Sequence, residues 1–248
     1  MSWFQRGAEG AEAAKQDEED RVSRMGVFRL WLPPGGSAQF TFLDSEGFFF
    51  KEHGYYAGGS WNNYETCIQD IGEEDCPFCE AGLKYYYECV FSVIDHTEFV
   101  SRKTQKRMSN TKKLLVLRST ARKKVLRKKD QLDGDLTYCR FESHRDDKKE
   151  CSTGEDFDYI QRYTREDVLR LAPAEYMGKA ILPNEWIKPF NYMELFEPKK
   201  AEQLRRILGR VPDPIGAGDS ASISQSTETE NKEEKRDPGS RPSVQSLL

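Results

Sequence analysis

Lys84-Tyr85-Tyr86-Tyr87-Glu88-Cys89-Val90-Phe91-Ser92-Val93-Ile94-Asp95 is the longest β-like run in the chain, dense in aromatic and β-branched side chains and free of Gly and Pro. On its N-terminal side, 26–32 and 38–43 read as strands joined by the turn Pro33-Pro34-Gly35-Gly36, with Phe40 and Phe42 on one face of the second. The stretch 46–56 carries Phe48, Phe49 and Phe50, and 61–67 follows the break at Gly58-Gly59. On its C-terminal side, Leu114-Leu115-Val116-Leu117 reads as a buried strand and 136–143 as another. Short strands separated by Gly and Pro turns predict a mainly β fold, a small antiparallel barrel or sandwich.

Helices are expected at three places. The first, 120–132, is inserted among the strands, with Ala121, Val125 and Leu132 on one face, Ser119 or Thr120 as N-cap and Gly134 as its stop. A short one starts at the N-cap Thr164 and runs to about 171, with acids in its first turn. The last has Pro198 at its first position, Ala201, Leu204 and Leu208 on one face, and Gly209 at its end. Residues 180–196 read as an irregular strand and loop.

At 248 residues the chain is 37% hydrophobic and 32% charged, with a net charge of -4. Globular domains average roughly 45–50% apolar and about 25% charged residues, so part of the length is expected to stay unpacked. Residues 1–24 read as a charged extension and 212–248 as a mildly acidic, Ser-rich disordered tail, leaving one folded domain over 25–211. No apolar run approaches the roughly 20 residues needed to span a bilayer, which argues against a membrane protein.

The net charge hides a strong internal polarity. From Arg102 to Lys129 there are 13 Lys or Arg and no acid, whereas residues 52–83 hold seven acids and no Lys or Arg. The basic run is threaded through a strand and a helix, so its charge is displayed on a scaffold and attracts phosphate by counterion release. Phosphate contacts are expected from Lys103, Lys106, Arg107, Lys112, Lys113, Arg118, Arg122, Lys123 and Lys124. Base stacking is expected from Trp31, Phe42, Tyr55, Tyr56, Trp61 and Tyr86.

Six cysteines in a chain with no secretory signal point to a metal site rather than disulfides. Cys76-Pro77-Phe78-Cys79 can turn two thiolates onto one ion. With Cys67 and His53 they make a closed tetrahedral set suited to structural Zn²⁺, without an open position for catalytic water. His96 is an alternative to His53, and Cys89 to Cys67. This acidic lobe, 52–83, should repel phosphate and serve to hold strands together. With three histidines and no P-loop, carboxylate cluster or nucleophile motif, an enzyme is not expected.

In combination, several motifs resemble the single-stranded-DNA-binding proteins of tailed bacteriophages: Trp3 with Arg6-Gly7, Phe28-Arg29-Leu30-Trp31-Leu32-Pro33, Thr41-Phe42-Leu43-Asp44, Glu52-His53, Trp61-Asn62-Asn63, Cys67, Cys76-Pro77-Phe78-Cys79-Glu80, Phe91 to Glu98, Lys112-Lys113-Leu114 and Phe157-Asp158-Tyr159. The order His53, Cys67, Cys76, Cys79 is similar to the zinc site of the T-even helix-destabilising proteins. The resemblance implies an oligonucleotide-binding (OB) barrel with a small zinc subdomain that coats single strands during phage replication and recombination, in the cytoplasm of the infected bacterium. It also implies association with further copies along the strand, and contacts with replication or recombination proteins through the C-terminal tail. Where that family carries a basic Lys/Arg-Ser/Thr cluster near its N-terminus, this chain has Trp3, Phe4 and Arg6. A zinc-stabilised RNA-binding or replication adaptor protein is the alternative reading.

Overall fold

The computed structural model describes residues 27–57, 60–72, 74–100, 105, 107–176 and 179–209; the expected extension and tail lie outside them. In chain order the elements are β1 (Phe28–Arg29), β2 (Gly36–Phe42), β3 (Phe48–Ala57), β4 (Ser60–Thr66), α1 (Pro77–Glu80), β5 (Tyr85–Asp95), β6 (Phe99–Val100), β7 (Arg107–Met108), β8 (Thr111–Leu117), α2 (Ser119–Gln131), β9 (Cys139–Arg145), β10 (Asp156–Arg162), α3 (Arg165–Arg170), β11 (Glu175–Tyr176), β12 (Lys179–Ala180), α4 (Pro183–Trp186), α5 (Tyr192–Leu195) and α6 (Ala201–Leu208).

The long run at 85–95 organises the sheet. Along one edge β5 pairs with β8; along the other its first half pairs with β3 and its last three residues with β2. The sheet order is β1-β8-β5-β2-β9-β10, with the β3–β4 hairpin branching from β5. Its pairs are antiparallel except β1 with β8. The protein is therefore mixed α/β and strand-rich, and the sheet is not closed into the expected barrel. β1 has two residues, and residues 30–35, between β1 and β2, reach the far end through isolated bonds rather than a ladder. The Leu32 N–H donates to Ser152 O at 2.7 Å, and Arg145 Nη1 donates to Leu32 O at 2.7 Å.

Because strand side chains alternate, β5 feeds two cores. Cys89, Phe91 and Val93 join Phe40, Phe42, Phe141 and the α2 residues Ala121 and Val125 on one side. The Phe42 ring sits edge-on to Phe91 at 5.2 Å and to Phe141 at 5.4 Å. On the other side Val90 packs with Phe50, Leu114 and Val116 under Phe190, Tyr192, Leu195 and Phe196. Residues 183–196, read from sequence as strand and loop, instead form the single-turn helices α4 and α5 that cover this second face.

The caps follow the sequence in part. Thr164 closes a capping box on α3, its Oγ1 accepting from the Asp167 N–H at 3.2 Å while Asp167 Oδ2 accepts from the Thr164 N–H at 3.2 Å. Val168 of α3 is fully buried beside Ile94 and Trp186. Thr164→Ala is expected to lower stability by about 1 kcal/mol, read as a shift in the urea midpoint with an unchanged slope. For α2 the expected cap is corrected: Arg118 occupies the N-cap, with no side-chain cap, because β8 runs straight into the helix and Ser119 is already helical. Gly134, at φ +76°, donates its N–H to Lys129 O at 3.0 Å and stops the helix as expected. α6 starts at Ala201, three residues beyond Pro198.

Candidate metal centre and nucleic-acid interface

His53 comes from β3, Cys67 from the end of the β3–β4 hairpin, and Cys76 and Cys79 from the turn that forms α1. Their ligand atoms lie within 4.8 Å of one another. Cys67 Sγ is 3.7 Å from Cys79 Sγ, and His53 Nε2 is 3.5 Å from both Cys76 Sγ and Cys79 Sγ. A tetrahedron with zinc bonds of about 2.3 Å to sulfur and about 2.0–2.1 Å to nitrogen has edges of about 3.8 and 3.5 Å. The site therefore has the dimensions of a four-coordinate zinc centre, and the cluster is suited to bind one metal ion such as zinc.

Surrounding groups prepare the ligands. His53 Nδ1 lies 3.2 Å from Lys84 O, which fixes the proton there and leaves Nε2 for a metal. Burial holds the His53 imidazole below its ordinary range. For Cys76 burial acts upward, yet backbone hydrogen bonds from Cys79, Ile68 and Phe78 outweigh it and favour the thiolate. Burial raises Cys67, and burial together with the adjacent Cys67 and Cys76 sulfurs takes Cys79 up to about 12, so a cation is needed to hold three thiolates together. Phe78 stacks on His53 at 5.4 Å, and Leu204 and Ala201 of α6 close the lobe against Cys67, Cys76 and Tyr55.

The alternative ligands have other roles. His96 lies 2.8 Å from Thr41 Oγ1 and 2.8 Å from Asn110 Oδ1, tying β2 to the turn before β8. Cys89 is buried in the main core.

The expected interface is partly corrected. Phe42 is fully buried at the centre of the core, and Tyr55 is 8% exposed against Phe78 in the metal lobe, so neither offers a ring face to a base. Both are strand residues whose alternation turns them inward. Trp31 is 61% exposed, Tyr86 41% and Tyr56 40%. Lys103, Lys106 and the side chain of Trp61 lie outside the described residues. Arg107 and Lys123 are exposed. Several cations of the basic run answer acids of the fold: Lys113 binds Asp95 at 2.5 Å, Arg118 binds Glu88 at 2.6 Å and Lys124 binds Asp156 at 3.3 Å. Lys112 stands 4.4 Å over the Phe190 ring.

A denser constellation surrounds the exposed start of β5. Arg118 stacks on Tyr86 at 3.9 Å, Arg29 on Tyr64 at 3.8 Å and Arg122 on Tyr87 at 5.1 Å. Beneath the first two pairs, Arg29 makes a bidentate bond to Glu52 at 2.7 and 2.6 Å, and Glu52 and Glu88 are both buried. Burial pushes Glu88 up to about 7, with Glu52 raising it further against the pull of Arg118. Arg29, Tyr64, Tyr87, Glu52 and Glu88 were not singled out from sequence as site residues. The triple tyrosine was the available signal, since in a strand at least one ring of three must face away from the core. No protein-family model and no curated protein matches the chain.

Proposed function

We propose that the chain binds single-stranded DNA with little sequence preference and coats it during phage replication and recombination. The observation that carries this reading is the set of tyrosines backed by arginines at the head of β5: Tyr86 with Arg118, Tyr64 with Arg29, and Tyr87 with Arg122. A guanidinium stacked on one ring face holds the ring flat, leaves the other face for a base and presents its N–H edge to a phosphate. Trp31 extends the exposed aromatic surface, and Arg107, Arg122 and Lys123 extend its positive field.

In this reading the curled sheet is an OB-like barrel held short of closure, with α2 as an inserted basic helix. The metal is one structural Zn²⁺ that fixes β3, β4 and α1 behind the tyrosines. Chemistry on the strand is not part of the role. The protein acts in the cytoplasm of the infected bacterium, with further copies along the strand and replication or recombination proteins as partners.

A fluorescence titration with single strands, duplex and RNA at two salt concentrations tests it. Single-stranded DNA should bind most tightly, with log K falling against log salt by about 0.7 per phosphate contacted. Tyr86→Ala should weaken binding by about 1–3 kcal/mol, roughly 5- to 150-fold in Kd. Equal affinity for duplex, or no response to salt, would sink the proposal. A preference for RNA would move it to the adaptor reading.

A further inference from the structure

At the opposite end of the same sheet face, β8 turns Lys112 away from the main core, on the side of Leu114 and Val116. There it meets a cavity of about 440 Å³ walled by Tyr176, Ala180, Ile181, Leu182, Trp186 and Phe190, with Glu185 also on the lining. That size is in the range of small-molecule sites. The Tyr176 and Trp186 rings lie 5.1 Å apart and tilted by 59°.

The lining carries one cation, Lys112, and one carboxylate, Glu185. Lys112 has no ion pair among the described residues and rests on the Phe190 ring at 4.4 Å, and burial lowers its ammonium to about 8. Two carboxylates act on it from a distance. Asp44 accepts from the Tyr192 hydroxyl and the Ser92 N–H on Oδ2 alone, and Glu185, on the cavity lining, holds Lys188 at 2.7 Å. The indole N–H of Trp186, a residue 94% buried by its 6% exposure, has no acceptor. An indole nitrogen can only donate, and a buried donor without a partner costs free energy. The cavity therefore sets one cation, with no ion pair among the described residues, against aromatic walls, while the indole nitrogen is itself covered.

We propose that this cavity is a nucleotide pocket, taking one flat base against Trp186 and Tyr176 with its phosphate on Lys112. The identification of the ligand as a nucleotide rests on the single-strand reading above; the fit to a flat, anionic ligand rests on the aromatic walls and Lys112 of the pocket alone. Such a nucleotide is either one residue of a bound strand or a free mononucleotide. Residues 190–196 lie between this pocket and the tyrosine–arginine patch, Phe190 touching Lys112 and Phe196 packing on Phe50 at 4.3 Å. A strand engaging both sites has to cross that segment.

The test follows the Trp186 indole N–H in ¹H–¹⁵N spectra of the full chain, where Trp186→Phe identifies its signal among four tryptophans. The probes are thymidine monophosphate, inorganic phosphate and an oligothymidylate of about 16 nucleotides. The expected result is a saturable shift of that signal with the mononucleotide and the oligonucleotide but not with phosphate alone, weakened at least tenfold in Lys112→Met and kept in Lys112→Arg. A shift with the oligonucleotide only assigns the pocket to a residue of the strand. A shift with the mononucleotide that the oligonucleotide does not displace assigns it to a free nucleotide. A signal that stays still with every probe, or moves equally in Lys112→Met, overturns the pocket, and does so even where the oligonucleotide binds elsewhere. A mononucleotide shift in a chain that binds no oligonucleotide keeps the pocket and removes the single-strand reading.

Discussion

Cys76→Ser is expected to release the metal and to lower stability by several kcal/mol, the largest effect of any single substitution at the candidate sites. Structural zinc contributes on the order of 10 kcal/mol in small peptides that fold only around it. Here part of the lobe is held by Phe78, Tyr55 and Leu204, so the loss is smaller. The damage should reach α6, because Cys67 and Cys76 form the surface on which Ala201 and Leu204 pack. Hydrogen exchange should therefore rise at 201–208 as well as at 67–83. Metal uptake has a pH signature of fixed sign. The Cys67 and Cys79 thiols are held protonated well above neutrality, so binding must expel their protons, and affinity rises with pH. Cys151→Ser, outside the cluster, should leave metal content unchanged. A purified chain with less than about half an equivalent of metal, and a Cys76→Ser variant that melts with it, would refute the site.

The candidate metal cluster was legible because Cys-x-x-Cys is a local signal, and because the β3–β4 pairing sets His53, midway along β3, beside Cys67 just past the end of β4. The strand at 85–95 was legible from its side chains alone. β10 was not, because on an edge strand with only Phe157 buried the residues carry no alternating apolar pattern. Nor were α4 and α5 legible, since single-turn helices made by packing Trp186 and Leu195 on a sheet have too few residues for a period. The basic run leaves Arg107 and Lys123 exposed, but three of its cations are taken up by acids that its own sequence does not point to. Its partners Asp95, Glu88 and Asp156 lie 18 to 32 residues away in sequence, and only the β5–β8 ladder and the fold around α2 bring them together.

The two buried glutamates beneath the tyrosine–arginine pairs should respond oppositely to removal of charge. Glu52→Ala is expected to cost about 3 kcal/mol, because it strips a bidentate partner from Arg29, itself only a quarter exposed, and leaves that charge with a distant acid. Metal content must be checked alongside, since Glu52 neighbours His53; retention of the metal with the loss of stability locates the effect in the ion pair. Glu88→Gln should instead be neutral near pH 5 and stabilising by about 1–2 kcal/mol near pH 8. In the folded chain Glu88 keeps its proton up to about pH 7, whereas the unfolded chain loses it near 4.5. Between those values the folded state binds the extra proton, so the wild type loses stability as pH rises from about 4.5 to 7 and regains none above it. The glutamine carries no charge to desolvate, still accepts from Arg118 Nε, and fills the place of Glu88 Oε2, which has no partner. Asp44, raised by burial to about 6, contributes a slope of the same sign over a lower range, and that part should survive in Glu88→Gln. Urea midpoints at pH 5 and 8 separate the two glutamates. If Glu88→Gln destabilises equally at both, Glu88 is an ordinary ionised partner of Arg118, and the patch carries one more fixed negative charge than a polyanion site should hold.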